Sequence, residues 1–106
     1  MRPSKAIAVT LAGALLAAGG AQAQDAQALL EKYRCNVCHA TQESRTGPTY
    51  VDIAQRYRGD AKATAALSAA IRQGERGAGP WHMPPHPEIS EAEARTMVRY
   101  ILALRQ

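Results

Sequence analysis

The sequence contains the stretch Cys35-Asn36-Val37-Cys38-His39, in which a histidine directly follows the second of two cysteines spaced three residues apart. On one turn of helix, side chains three and four positions apart project to the same side, so these three can hold one group together. The spacing C-x-x-C-H is typical of haem c attachment, in which two thiols add to the porphyrin vinyl groups and the imidazole binds iron. The stretch therefore predicts one covalent haem, bonded to Cys35 and Cys38, with His39 as an iron ligand.

Three other functions of a C-x-x-C pair fit the sequence less well. A structural zinc site takes about four ligands, usually from two pairs of cysteine or histidine, and the chain has two cysteines in all. A thioredoxin-like redox motif needs a βαβ context, and no strand-like apolar run surrounds these cysteines. A disulfide suits an exported protein but leaves the adjacent His39 unexplained. We therefore interpret the motif as haem attachment.

The first 23 residues have the pattern of a secretory signal peptide. Arg2 and Lys5 give a positively charged start, residues 7–18 are apolar or small, and Ala21-Gln22-Ala23 fits a cleavage site between small residues. The apolar stretch is short for a membrane span, although an uncleaved anchor is the alternative. We expect export to the periplasm, no stable membrane insertion after cleavage, and one mature domain over residues 24–106.

The mature domain has little apolar mass of its own. The chain contains no Phe, one Trp and four Tyr, and 83 residues follow the predicted cleavage site. A domain of this size buries a thin core, so we expect the chain to fold poorly without a buried cofactor. The formal net charge is +4 and becomes +2 when Arg2 and Lys5 are removed. Two haem propionates would offset this charge, so we expect no nucleic-acid partner.

Hydrophobic periodicity predicts four helices, with short connections and no strand. The predicted helices run from Asp25 into the haem motif, from Gly47-Pro48 to Gly59, from Asp60 to Gly74, and onward from Ser90, which forms an S-x-x-E capping box with Glu93. The sequence therefore predicts an all-α fold of about four helices around one haem.

A stretch rich in Gly and Pro, residues 74–89, separates the last two predicted helices. Its prolines prevent a continuous helix and reduce the entropy of the unfolded chain, which favours an ordered loop over a flexible linker. Met83 lies in this loop, whereas Met97 falls in the apolar stripe of the last helix. We therefore expect Met83 to be the second iron ligand; His82 and His86 are the other candidates from the loop.

The ordered set of motifs resembles the small periplasmic class I c-type cytochromes of bacteria. The shared features are the secretory leader, C-N-V-C-H, Gly47-Pro48, the Y-x-G-D end of the second helix, the Gly-rich run into Met83-Pro84-Pro85, and a capped final helix. They extend over essentially the whole mature chain. The resemblance implies thioether bonds at both cysteines, His39 as the proximal ligand and Met83 as the distal ligand.

The resemblance also implies contacts around these ligands. The carbonyl of Pro48 would accept a hydrogen bond from His39, which fixes the orientation and tautomer of the ring. The family often has a Trp that contacts a haem propionate; Trp81 is the counterpart here, although it stands only two residues before Met83. A second departure is His86, at a place where many members have Asn. The first and last helices would pack together.

A Met/His pair leaves the iron without an open site, so we expect a one-electron carrier and not an enzyme. It would pass electrons from a dehydrogenase or quinol-oxidising complex to a terminal oxidase or reductase, as a monomer or as a subunit bound to one dehydrogenase. A haem peroxidase or gas sensor is the alternative and would need an open distal face. Four arginines lie near the motif or the loop: Arg34, Arg45, Arg72 and Arg76. They predict a basic rim that would attract an acidic partner, and the alternative is that they are ordinary solvated surface residues.

Overall fold

The computed structural model describes residues 3–4, 12–77 and 80–105. Over these residues the chain forms four α-helices, one 3-10 turn and a pair of very short strands. In chain order they are α1 (Ala12–Lys32), the 3-10 turn (Cys35–Val37), α2 (Tyr50–Arg56), α3 (Ala63–Gln73), β1 (Glu75–Arg76), β2 (His82–Met83) and α4 (Glu91–Leu102). The predicted all-α fold is confirmed, and the prediction of no strand is wrong for β1 and β2.

The two strands fold the Gly- and Pro-rich loop back on itself. They pair antiparallel, with Glu75 opposite Met83 and Arg76 opposite His82. Gly74, between α3 and β1, has φ 81° and ψ 165°, a backbone region nearly restricted to glycine. The pairing therefore places Met83 beside the end of α3.

The helix α1 continues through the predicted cleavage site, so its start lies upstream of Asp25 and the predicted cap there is wrong. It ends at Lys32, and Arg34 then adopts a left-handed conformation with φ 60° and ψ 29°. A left-handed residue cannot continue a right-handed helix, so the first helix does not run directly into Cys35 as predicted. None of the helices in the described ranges combines the length and the apolarity that crossing a membrane requires.

The core lies where α4 packs against the other three helices. Its central cluster consists of Leu30, Tyr50, Ile89, Ala94, Met97 and Ile101. Met97 is fully buried, which confirms its predicted place in the core of the last helix. Tyr33, Tyr100 and Cys35 pack against the edge of this cluster. The core therefore supports the haem motif directly, through Cys35.

The ends of α1 and α4 are joined by polar contacts. The Ser90 hydroxyl accepts a hydrogen bond from the Glu93 N–H at 3.1 Å, which confirms Ser90 as the predicted cap of α4. The Tyr33 hydroxyl donates to the Glu93 carboxylate at 2.8 Å, and the Gln27 amide donates to the Tyr100 hydroxyl at 2.9 Å. The predicted contact between the first and last helices is thus present.

The other two helices begin later than predicted. The Thr49 hydroxyl caps α2 by accepting from the Asp52 N–H at 3.0 Å, so the helix follows Gly47-Pro48 by two residues. Before α3, the Asp60 carboxylate accepts from the Lys62 N–H at 2.9 Å and so stabilises the preceding turn. In both places a polar side chain satisfies a free N–H at or near the first turn, which sets where the helix starts.

Candidate haem site

Cys35, Cys38 and His39 lie on one tight turn. The Cys35 carbonyl accepts hydrogen bonds from the Cys38 N–H at 3.2 Å and from the His39 N–H at 3.0 Å. Both thiols are free and partly buried. The sequence pattern indicated a helical turn, and the structure makes it a 3-10 turn that is separate from α1. Two thiols and an imidazole on one turn can bind a single group at three points.

The state of the Cys35 thiol argues against the other functions of a C-x-x-C pair. Burial raises the pKa of Cys35, and the charge of a Cys38 thiolate would raise it further. A protonated thiol is a poor nucleophile, so the raised pKa counts against a redox-active pair. In addition, the described residues hold no group of three or more His, Cys, Asp or Glu side chains placed to bind a metal ion. This second observation counts against a zinc site.

The His39 ring is held on three sides. Its Nδ1 lies 2.7 Å from the carbonyl oxygen of Pro48, and because a carbonyl can only accept, Nδ1 carries the proton. A Cβ atom on Gly47 would come within 2.5 Å of His39 Cε1, so the position accommodates glycine alone without a shift. The Tyr50 ring stacks on the imidazole, with 5.6 Å between ring centroids and 23° between planes. These contacts leave the Nε2 lone pair available to a metal.

Asn36, between the two cysteines, is bound from both sides. Its side-chain oxygen accepts from the Tyr50 hydroxyl at 2.7 Å, and its backbone carbonyl accepts from the Arg45 guanidinium. Arg45 also forms a 3.5 Å ion pair with Glu43. These contacts cannot be predicted from the motif, because the C-x-x-C-H pattern leaves the identity of the middle residues open.

The second group of predicted site residues lies on the loop between α3 and α4. Met83 is half-buried on β2, whereas Trp81 is 68% exposed. A cavity of about 510 Å³ is lined by this loop and the end of α3, including Trp81, Met83, Pro85 and Gly74. The structure thus gathers Cys35, Cys38, His39 and Pro48 around one turn and places Trp81 and Met83 on another segment.

Backbone and side-chain contacts anchor this loop to α3. The His86 N–H donates to the Ile71 carbonyl at 3.1 Å, and Arg72 Nε donates to the Ile89 carbonyl at 3.0 Å. The predicted basic rim stays a prediction: all four arginines are exposed, although Arg45 and Arg72 also make contacts within the fold.

The residues present fit a haem c group. The two free thiols would provide the attachment, and the available His39 Nε2 would provide the first iron ligand. Large apolar side chains on both segments are exposed, Val37 to 61% and Trp81 to 68%, and a porphyrin offers apolar surface to cover them. The Nδ1 of His86 is buried, and the described residues give it no hydrogen-bond partner. Leaving a buried polar group unpaired costs about 1–3 kcal/mol of folding free energy, which favours a further group that supplies a hydrogen-bond partner to His86.

Comparisons with known proteins agree with this fit. The family model described as "Cytochrome C oxidase, cbb3-type, subunit III" matches residues 21–101. Cytochrome c-551 of Pseudomonas aeruginosa is 36% identical over 104 residues, which cover 97% of this chain and 98% of the relative. Cytochrome c-552 of Nitrosomonas europaea is 39% identical over 95 residues, covering 89% and 90% of the two chains.

A solved structure gives the same result for the fold. The crystal structure of wild-type Nitrosomonas europaea cytochrome c552 superposes with a TM-score of 0.70 at 32% identity, covering 74% of this chain and 99% of that chain. The resemblance drawn from the motifs is therefore confirmed, and the cofactor is a single covalently bound haem c with its iron. This chain belongs to the small class I monohaem c-type cytochromes, which carry electrons.

Proposed function

We propose that this protein is a periplasmic one-electron carrier in which Cys35 and Cys38 hold the haem and His39 and Met83 are its two axial ligands. The observation that carries the proposal is the 2.7 Å contact between His39 Nδ1 and the Pro48 carbonyl, because it leaves Nε2 free to bind iron. The same contact makes the imidazole a stronger donor. When bound, the haem iron accepts and releases one electron, and the residues of this chain hold the imidazole in one orientation.

Met83 is proposed as the distal ligand because its position differs from that of Met97. Met97 is fully buried among core residues, whereas Met83 is half-buried on a strand pair that opens onto a cavity. A thioether is a weak ligand, so its place must be set by its surroundings, and the pairing of Glu75 with Met83 provides this support. Two filled axial positions leave no open site, which favours an electron carrier over a peroxidase or a gas sensor.

Ligation by Met83 is tested with two methionine variants. The ferric protein should show the weak charge-transfer band at the red edge of the visible spectrum that iron–thioether coordination produces. Met83→Ala should remove this band and lower the reduction potential, since a Met/His pair raises it. Met97→Leu should keep both, and His82→Ala should also keep the band. Retention of the band in Met83→Ala, or its loss in His82→Ala, would contradict the assignment.

We propose further that residues 1–23 are removed on export. The sequence pattern supports this, and the crystallised relative is covered over 99% of its length by 74% of this chain, so about a quarter of this chain lies outside that match. After expression with haem-maturation machinery, the intact mass should equal residues 24–106 plus one haem retained in denaturing acid. A mass that includes the leader, or haem that is extracted into acidified organic solvent, would contradict the proposal.

The proposed donors are a dehydrogenase or a quinol-oxidising complex, and the proposed acceptors are a terminal oxidase or reductase. We propose a free carrier, and a subunit fixed to one dehydrogenase is the alternative. Stopped-flow reduction by a donor and oxidation by an acceptor should then be second-order overall, with a rate proportional to the concentration of this protein. Exposed charges should also make the rate depend on ionic strength. Co-purification with a dehydrogenase and concentration-independent reduction would instead indicate a fixed subunit.

A further inference from the structure

We propose that Tyr50 is a positioning residue, which fixes the plane of the His39 imidazole and the conformation of the turn between the two cysteines. The inference rests on His39 being the iron ligand, as proposed above. Tyr50 lies at the start of α2 and outside the C-x-x-C-H motif. Its role therefore comes from the fold and cannot be seen in the motif.

One side chain contacts both the ligand and the attachment turn. The Tyr50 ring is stacked on His39 with 5.6 Å between centroids, and its hydroxyl donates to Asn36 Oδ1 at 2.7 Å. The Tyr50 N–H donates to the Ala40 carbonyl at 2.8 Å, which fixes the start of α2 against the residue after His39. Tyr50 is 3% exposed, so packing holds its ring in one place.

Because Tyr50 is buried, the hydrogen bond from its hydroxyl to Asn36 is costly to lose. A buried hydroxyl that has lost its partner carries a desolvation cost, and Asn36 Oδ1 is the acceptor that the fold provides. The side chain of Asn36 is thus held toward α2, which restrains the backbone between Cys35 and Cys38.

The orientation of His39 matters for its chemistry as a ligand. The hydrogen bond from His39 Nδ1–H to the Pro48 carbonyl increases electron donation from Nε2. This bond is strong only while the imidazole ring is turned so that its N–H points at the carbonyl oxygen. Without the stacked Tyr50, the ring can turn about its Cβ–Cγ bond and this hydrogen bond weakens. A weaker donor stabilises ferric iron less, so the reduction potential should rise.

The test compares Tyr50→Leu with Tyr50→Phe in the haem-bearing protein. Two properties are measured: the reduction potential and the spread of the hyperfine-shifted haem methyl proton resonances, which follows the orientation of the axial ligands. Tyr50→Leu should shift the potential upward and change the methyl spread, because the stack is lost. Tyr50→Phe should largely preserve both, because the ring remains, and should lose only the coupling to Asn36.

A matched control is Tyr100→Phe, which removes a tyrosine hydroxyl bonded to Gln27 and leaves His39 untouched. It should leave the potential and the methyl spread at their wild-type values. A Tyr50→Leu protein that unfolds more easily but keeps both wild-type values would overturn the proposal and make Tyr50 an ordinary core residue. If wild-type protein itself lacks the resonances of an iron-bound imidazole, the ligand assignment has failed instead.

Asn36→Ala provides a second measurement if Tyr50→Leu does not mature. Asn36→Ala and Tyr50→Phe should each lower the midpoint of urea unfolding, and the double variant should be little worse than either one, because both remove the same hydrogen bond. Fully additive losses would contradict the coupling of Tyr50 to the attachment turn.

Discussion

At the scale of single residues, the absence of a side chain at Gly74 helps to set the position of Met83, the proposed distal ligand. Its φ of 81° and ψ of 165° lie in a region that other residues rarely adopt. A Cβ atom there would also come within 2.9 Å of the Met83 carbonyl oxygen and of the Pro85 nitrogen. We expect Gly74→Ala to cost at least about 1–3 kcal/mol and to weaken the red-edge iron–thioether band. Urea unfolding and the ferric visible spectrum measure the two effects.

Gly59 is the matched control for this prediction. Its φ is also positive, at 80°, but a Cβ atom at Gly59 would have no heavy atom within 4 Å apart from those of its chain neighbours. Gly59→Ala should therefore lose stability through its backbone conformation alone and keep the band unchanged. If the two variants behave alike in both measurements, the close approach of Gly74 to Met83 has no effect on ligation.

The residues of the site differ in how far the sequence could predict them. Cys35, Cys38 and His39 follow from chemistry that demands three groups on one turn. Pro48 came only with the family resemblance, and the structure now places its carbonyl 2.7 Å from His39 Nδ1. The contact of Tyr50 with Asn36 joins residues 14 positions apart, so no local pattern encodes it. The haem contacts themselves remain predictions, those of Cys35, Cys38 and His39 as well as those of Trp81 and Met83.

At the scale of secondary-structure elements, Tyr33 joins the end of α1 to the start of α4. The hydrogen bond to Glu93 raises the pKa of Tyr33 above its ordinary value, and the same bond is the main cause of a lowered Glu93 pKa. A carboxylate whose pKa is lower in the folded state stabilises the fold above its unfolded pKa, and this stabilisation is lost as the pH falls. A phenol with a raised pKa stabilises below its unfolded pKa, and this contribution is lost as the pH rises.

Tyr33→Phe should therefore flatten the acid limb of the stability profile. The free energy of unfolding of the wild type should fall between about pH 5 and about pH 3 more steeply than that of the variant, because Glu93 then titrates closer to its ordinary pKa. Urea unfolding followed by circular dichroism measures both curves. Tyr100→Phe, which removes the other hydroxyl between these helices, should keep the wild-type slope. Parallel acid limbs for wild type and Tyr33→Phe would contradict the linkage.

Elements with a periodic pattern or a cap could be predicted, and the shortest ones could not. The helix α4 has both an apolar stripe and the Ser90 cap, and it begins where the sequence indicated. The strands β1 and β2 have two residues each, so alternation between their faces leaves no readable signal. The left-handed Arg34 ends α1 before the haem motif although arginine itself favours helices. Arg34 is exposed and is not a glycine, so no local signal in the sequence marks this helix end.

At the scale of the whole molecule, the core is small for the number of residues that it must order. The described chain buries eleven apolar residues, and four of them are alanines. The fully buried large side chains are Ile89, Met97 and Val98. A single core of this kind seldom supplies more than about 3–5 kcal/mol in a domain below about 80 residues. The exposed Val37 and Trp81 on the two site segments add apolar surface that the protein alone does not cover.

We therefore expect folding of the mature domain to depend on the haem. A Cys35→Ser, Cys38→Ser variant of residues 24–106, made without haem, should show reduced helical circular dichroism and a broad urea transition, because the apolar contacts of the cofactor are missing. Met83→Ala, which keeps both thioether bonds, is the control: it should retain a cooperative transition at a lower urea concentration than wild type. These two results together would mean that the haem stabilises the fold mainly through apolar contacts with Cys35 and its neighbours, and less through the ligand bond of Met83. A haem-free variant that unfolds cooperatively at the wild-type midpoint would show that the protein core alone determines the fold.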